Sequence, residues 1–193
     1  MKTAVIFMIF LGTLAAQEIA TAEKAIAIVN GTNASGMLVL GGWALSNMLV
    51  SGSSYFATSG EARQFHAMNA MWNLVNFGIA AFGYSAAVNA VPSDKLSDAL
   101  KQSAEMQNIL LLNAGLDVAY IVTGFLLREK GKTSEKYSEI LKGYGSSLVL
   151  QGSFLLIFDT ILYFVHQNNF TEILKMADLS FSLNTINLRI PLN

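Results

Sequence analysis

The sequence predicts an all-α protein, a polytopic four-helix transmembrane bundle followed by a short extended C-terminal tail. Three observations carry this expectation. The chain is 53% hydrophobic and only 13% charged, against roughly 25% charged for an ordinary soluble domain. The charges are clustered, and the long stretches between them suit hydrocarbon, where a charge at the bilayer centre costs about 2.5 kcal/mol or more. Those stretches are continuously apolar instead of alternating, which favours helices over barrel strands. With 193 residues, one core accounts for the chain.

Taken in order, residues 1–16 predict a cleavable export signal. Lys2 is followed by an apolar run from Ala4 to Leu14 and then by the small residues Ala15 and Ala16. That run is a signal core in length and stops short of the roughly 20 residues a span needs. A mixed segment, 17–34, is expected outside the membrane. Four spans are expected at 35–55, 65–90, 107–127 and 144–166, each long enough to cross about 30 Å at about 1.5 Å per residue.

Orientation follows from two signals that agree. An exported start puts the mature N-terminus outside, so the third interhelical loop, 128–143, is inside. That loop carries Arg128, Lys130, Lys132, Lys136 and Lys142, whereas the 91–106 loop carries only Lys95 and Lys101. Positive residues therefore concentrate on the cytoplasmic side. The expected location is a bacterial inner membrane, multi-pass, with both termini periplasmic. Tyr55, Tyr144 and Tyr163 fall at expected span boundaries, as aromatic belts do. Gly42 with Ser46, and Gly115 with Ala119, place small residues four apart, a spacing that permits close helix approach.

The spans are not uniformly apolar. The second carries His66, Asn69, Asn73 and Asn76 at spacings that keep them on one helical face. The third carries Asn113 and Asp117 in line with Tyr120 and Gly124. The fourth carries Ser147 and Gln151 on one line and Asp159 and His166 on a neighbouring one. The first adds Trp43 and Asn47. An amide facing lipid would go unpaired, so these residues are expected to turn inward and bond one another. The candidate site is accordingly Asn47, His66, Asn69, Asn73, Asn76, Asn113, Asp117, Gln151 and Asp159. It reads either as helix-to-helix glue or as a proton, cation or small-solute site centred on Asp117, since an intramembrane carboxylate is a functional candidate by default.

Other chemistry is thinly supplied. The chain has no cysteine and two histidines, which removes thiolate chemistry and disulfides. His66 and His166 are expected near opposite faces of the bilayer, so one haem cannot use both. No metal or other cofactor is expected, and no catalytic residue stands out. There is no glycine-rich phosphate loop or nucleophile elbow. A net charge of −1 gives no footprint for nucleic acid.

The tail, 167–193, changes character. Over 180–192, Phe181 and Leu183, and then Ile186, Leu188 and Ile190, alternate with polar residues, which predicts an extended strand. A lone strand is not stable. It is expected to pair with the 18–33 stretch, where Ala25 to Val29 alternates weakly, to add to the sheet of a partner protein, or else to be disordered.

The segments GMLVLGGWALSN (36–47), SGEARQFHAMNAMWNLVNFGIA (59–80), LLNAGLDVAY (111–120) and GYGSSLVLQGSFLLIFDTILY (143–163) resemble a family of uncharacterised bacterial four-span membrane proteins, a domain of unknown function. The resemblance covers the spans and implies the fold, and it implies that the polar residues of the spans belong to the family's core pattern. It lends no reaction. The function expected from the sequence is a non-enzymatic membrane subunit that assembles with other membrane or periplasmic proteins among membrane lipids. The alternatives are a proton- or cation-linked transport element centred on Asp117, and an intramembrane lipid- or quinone-binding protein.

Overall fold

The computed structural model describes the backbone of residues 2–187 and the side chains of residues 16–178. Four helices make up the described chain: α1 (Lys2–Ala57), α2 (Gly60–Val88), α3 (Leu96–Thr133) and α4 (Ser138–Asn187). Each of the four expected spans falls on one helix. The breaks between helices have local causes. Gly60 takes φ +61°, a left-handed conformation that glycine adopts without a Cβ clash, and this lets the chain reverse over Thr58 and Ser59. α2 stops ahead of Pro92, whose ring disfavours helix in the preceding residue. At the start of α3 the Ser93 hydroxyl donates to the Asp98 carboxylate at 2.6 Å and accepts from the Lys95 N–H at 3.1 Å. Asp98 in the first turn and Lys130 and Lys132 in the last complement the helix dipole.

The tail differs from the sequence expectation. No strand occurs among the described residues, and α4 runs unbroken to Asn187. Phe181, Leu183 and Ile186 therefore lie on a helix, while Leu188 and Ile190 fall outside the described residues. The physical reason is cooperativity: extending an existing helix fixes one residue per hydrogen bond, whereas an isolated strand has no partner for its backbone. The weak alternation at 25–29 is likewise part of a helix. Ala22, Ala25, Ile26 and Val29 are buried at helical spacing, and Ala25, Ile26 and Val29 meet Ala99 of α3 and Ile173 of α4.

The helices form two hairpins, α1–α2 and α3–α4, joined chiefly by α2 packing on α4. The backbones of α2 and α3, neighbours in sequence, do not meet among the described residues. The α3–α4 seam has a seven-residue repeat on both sides, the period of left-handed helix pairing. Ser103, Leu110, Asp117, Gly124 and Gly131 are buried on α3, and Gly145, Gly152, Asp159, His166 and Ile173 on α4. Glycine is required at its centre. A Cβ on Gly124 would stand 2.6 Å from the Gly145 carbonyl oxygen, and one on Gly145 would stand 2.5 Å from that of Gly124. Gly143 serves the same purpose against α2, where a Cβ would meet the Glu61 carbonyl at 2.5 Å. Gly42 and Gly115, the glycines of the two small-residue pairs, have no atom within 4 Å of a Cβ position and make no close approach.

Burial is inverted through the middle of the bundle. Asn69, Asn73, Asn76, Ser147, Gln151, Asp117 and Asp159 are buried, while Leu49, Leu74, Val75, Leu112, Leu126 and Ile157 are each more than 60% exposed. Water would favour the opposite arrangement, and lipid favours this one. The described parts of three helices, Ala16–Ala57, Leu96–Thr133 and Ser138–Asp178, are long and apolar enough to cross a membrane. α2 falls short by composition because its buried face is asparagine. Its outward face carries Met71, Leu74, Val75, Ile79 and Phe82, all exposed. Near the 91–95 turn the core becomes conventional, with Ala25, Ile26, Val29, Ala99 and Ile173 inside and Glu23, Lys24, Asp98, Lys101, Glu172 and Lys175 exposed around them. An apolar core with a charged rim is what a water-facing end requires. The 38 residues of α3 extend about 57 Å, well beyond a hydrocarbon layer of about 30 Å.

Candidate functional site

Two polar assemblies occupy the interior. The first joins α1, α2 and α4. The Trp43 indole N–H donates to Gln151 Oε1 at 2.9 Å, and Gln151 Nε2 donates in turn to Asn69 Oδ1. Asn69 Nδ2 then donates to Asn47 Oδ1 at 2.9 Å and to Ser51 Oγ at 2.7 Å. Ser51 Oγ also lies 3.3 Å from His66 Nδ1. Asn47 and Asn73 each return an amide N–H to a backbone carbonyl four residues earlier, Trp43 and Asn69, at 2.9 and 2.8 Å. Trp43 is further fixed by stacking on Phe154, with ring centroids 3.8 Å apart and planes 3° from parallel. Asn47, His66, Asn69 and Gln151 thus belong to one network, with Asn73 at its edge.

The second assembly is a cavity of about 250 Å³. Trp72, Asn76, Asn113, Asp117, Tyr120 and Asp159 line it, together with Leu40, Val75, Ile79, Leu116, Leu155 and Phe158. At one end Trp72 meets Tyr120 edge to face, with centroids 4.8 Å apart. The Asp117 and Asp159 carboxyl groups, from α3 and α4, face each other across the cavity, near enough for one proton to be shared between them. Two carboxyl groups can hydrogen-bond only by holding a proton between them. Among the described residues no lysine or arginine pairs with them: α3 has none between Lys101 and Arg128, and α4 none between Lys142 and Lys175. Arg128 stands eleven residues from Asp117, about 16 Å along α3. Several buried groups at this level have no protein partner among the described residues: Trp72 Nε1, Asn73 Oδ1, Asn76 Nδ2 and Asp117 Oδ2. Buried polar atoms are rarely left so without water or a ligand.

Farther along the seam His166 is fully buried, and neither ring nitrogen has a protein partner among the described residues. Its backbone carbonyl accepts from Ser103 Oγ at 3.1 Å. A larger groove of about 680 Å³ runs between α1 and α4. Apart from Thr32 and Ser35 its side chains are aliphatic or aromatic, a surface that an acyl chain can fill. The chemistry lies in the smaller cavity. Among the described residues no three His, Asp or Glu side chains gather as metal ligands.

Asn76, Asn113, Asp117 and Asp159 therefore share the cavity, while Asn47, His66, Asn69 and Gln151 share the network. Ser51, Trp72 and the buried His166 were not among the candidates. Ser51 was legible as the next step of four after Trp43 and Asn47, and His166 as one heptad beyond Asp159. Polar spacing does not mark Trp72, which the sequence singles out only through the family resemblance and the quinone- or lipid-site alternative. Its role depends on α2 facing α3 across a gap.

Among known families, one described as a family of unknown function (DUF6992) matches residues 39–160, which takes in both polar assemblies. No curated protein and no solved structure matches the chain.

Proposed function

The chain belongs to this family of unknown function, and from that premise we propose that it is a four-span integral membrane protein that takes up and passes protons through the Asp117–Asp159 pair. The observation that carries the reading is that Asp117 and Asp159 line one cavity and approach each other in the middle of an inside-out bundle, with no lysine or arginine paired to them among the described residues. A proton shared by two neighbouring carboxyl groups lets both stay buried.

Further features support it. Titratable and hydrogen-bonding side chains recur along the bundle from His66 through Ser51, Asn69 and Gln151 to Asn76, Asp117, Asp159 and His166. Asp159 and His166 are seven residues apart, about 10.5 Å along α4, a gap that water can bridge where the His166 nitrogens are unpaired. Four spans require α2 to cross with its asparagines turned inward, and its exposed apolar face fits that placement. The 128–143 loop, rich in lysine, is then cytoplasmic. The reading as an assembly subunit rests on lipid-facing small residues and an extended outer tail; with α4 helical to Asn187 the tail no longer supports it as a strand, and the neighbouring carboxyl groups favour the proton reading.

The test is proton flux into proteoliposomes carrying a trapped pH indicator. The wild-type protein should dissipate an imposed pH gradient, and Asp117→Asn and Asp159→Asn should each slow it at least about tenfold. Such a loss corresponds to about 1.4 kcal/mol, less than removal of a buried charge-assisted partner usually costs. Folded D117N and D159N proteins with wild-type flux would remove the reading.

A further inference from the structure

We infer that the cavity between α2 and α3 is a lateral binding cleft for a quinone-class molecule dissolved in the membrane, whose carbonyl oxygens accept hydrogen bonds from Trp72 Nε1–H and Asn76 Nδ2–H. This goes beyond the proton reading, because it stands on the donors of α2 and on the open flank of the bundle, not on the carboxyl pair.

The cavity is accessible from the flank of the bundle. α2 and α3 do not meet at the backbone, and the gap between them is closed only by side chains. Val75, Ile79 and Leu116 line the cavity and are also 63%, 53% and 45% exposed on the outer surface. The same three side chains are both wall and rim, so the cavity opens sideways toward the acyl chains. A ligand entering there comes from the lipid phase.

The wall of the cavity offers donors that are unpaired among the described residues. Asn76 is 95% buried, since only 5% of its surface is exposed. Its Nδ2 and the Trp72 Nε1 are both without a protein acceptor among the described residues. Residues four apart on a helix hold their Cβ atoms about 5–6 Å apart. Both residues line the cavity, so the two donors share one wall, and each can give a hydrogen bond to a carbonyl oxygen placed there. Tyr120 and Phe158 supply aromatic faces beside them. The cavity, about 250 Å³, equals about eight waters at ~30 Å³ each, room for one ring with its tail leading out through the flank.

The depth of Asn76 along α2 separates two sources of carbonyl oxygen. Asn76 lies sixteen residues from Gly60 and twelve from Val88, about 24 Å and 18 Å along α2. That places it within a few ångströms of the middle of a hydrocarbon layer about 30 Å thick. The ester carbonyls of a phospholipid are held at the interface and do not reach it. A quinone, which dissolves in the hydrocarbon, does.

The experiment uses the full chain in quinone-free lipid nanodiscs and a photoreactive short-chain ubiquinone analogue, with labelled peptides mapped by mass spectrometry. Labelling should be saturable, should fall within 70–80 and 112–121, and should be displaced by decyl-ubiquinone but not by dioleoylglycerol, which carries ester carbonyls without the ring. Trp72→Phe, which keeps the aromatic packing on Tyr120, and Asn76→Leu should each weaken binding at least about tenfold, as expected for one lost hydrogen bond in a dry site. Ile79→Trp should block the flank and reduce labelling similarly. W72F carries the test if N76L fails to fold. Absence of saturable labelling, equal displacement by dioleoylglycerol, or unchanged affinity in folded W72F would overturn the inference. Failure of the proton reading appears elsewhere, as equal proton flux in wild type and D117N, so the two outcomes are distinguishable.

Discussion

Adding one methyl group at four different glycines should separate those that hold the bundle together from those that do not. At Gly124 a new Cβ would lie 2.6 Å from the Gly145 carbonyl oxygen, 2.7 Å from Val149 Cγ2 and 2.9 Å from the Val149 nitrogen. At Gly145 it would lie 2.5 Å from the Gly124 carbonyl oxygen and 2.7 Å from Arg128 Cγ. Ordinary van der Waals contact needs about 3.5 Å, so α3 and α4 must separate by up to about 1 Å. The closest atoms are backbone and cannot swing away. Overpacking of this kind costs about 1–3 kcal/mol. Gly42 and Gly115 have no atom within 4 Å of the same position, and replacing glycine by alanine inside a helix gains about 0.5–1 kcal/mol. Unfolding in mixed detergent, followed by far-ultraviolet circular dichroism, should therefore show G124A and G145A less stable than wild type, and G42A and G115A as stable or more so. The propensity gain is common to all four, so the expected spread between the two groups is the overpacking cost, about 1–3 kcal/mol. If all four variants behave alike, the α3–α4 seam is not where the structure places it.

The interior network gives a second outcome. Gln151→Leu strands the Trp43 N–H and the Asn69 carbonyl in the core. It should cost about 1–3 kcal/mol in the same unfolding assay, whereas exposed Lys132→Ala, which loses only the surface pair with Glu129, should leave the midpoint unchanged. Asn47→Ala removes one acceptor of Asn69 while Ser51 remains, so its destabilisation should be the smaller of the two core changes. The carboxyl pair can be seen without flux: wild-type protein near neutral pH should show the infrared carbonyl stretch of a protonated carboxyl, and the band should be lost or altered in both D117N and D159N. A wild-type spectrum without it would contradict a shared proton.

Much of this arrangement was legible in the chain because lipid imposes a simple rule on polar side chains. Asn69, Asn73 and Asn76 could be assigned to one inward face from their spacing, and Asp117 and Asp159 from their isolation in apolar runs. Which helices touch was not legible. Consecutive elements are usually neighbours in space, yet α2 packs on α4 and leaves a gap to α3, and that gap makes the cavity. Small-residue spacing misled for a related reason. A glycine permits close approach but does not say which face a neighbour occupies, so Gly42 and Gly115 resembled interfaces while Gly124, Gly143 and Gly145 form them. The tail misled because Phe181, Leu183 and Ile186 satisfy a two-residue period over too few positions to exclude a helix that continues from α4.

The account depends most on α2, which buries amides and exposes aliphatic side chains although its overall composition is too polar to mark it as a span. The chain has no cysteine, so single cysteines at Thr58 and Ser93, on either side of α2, can be tested in intact membrane vesicles with a membrane-impermeant maleimide. Labelling from opposite faces is the expected result. Labelling of both positions from the same face would mean that α2 does not cross, and the inside-out bundle with its central carboxyl pair could not stand.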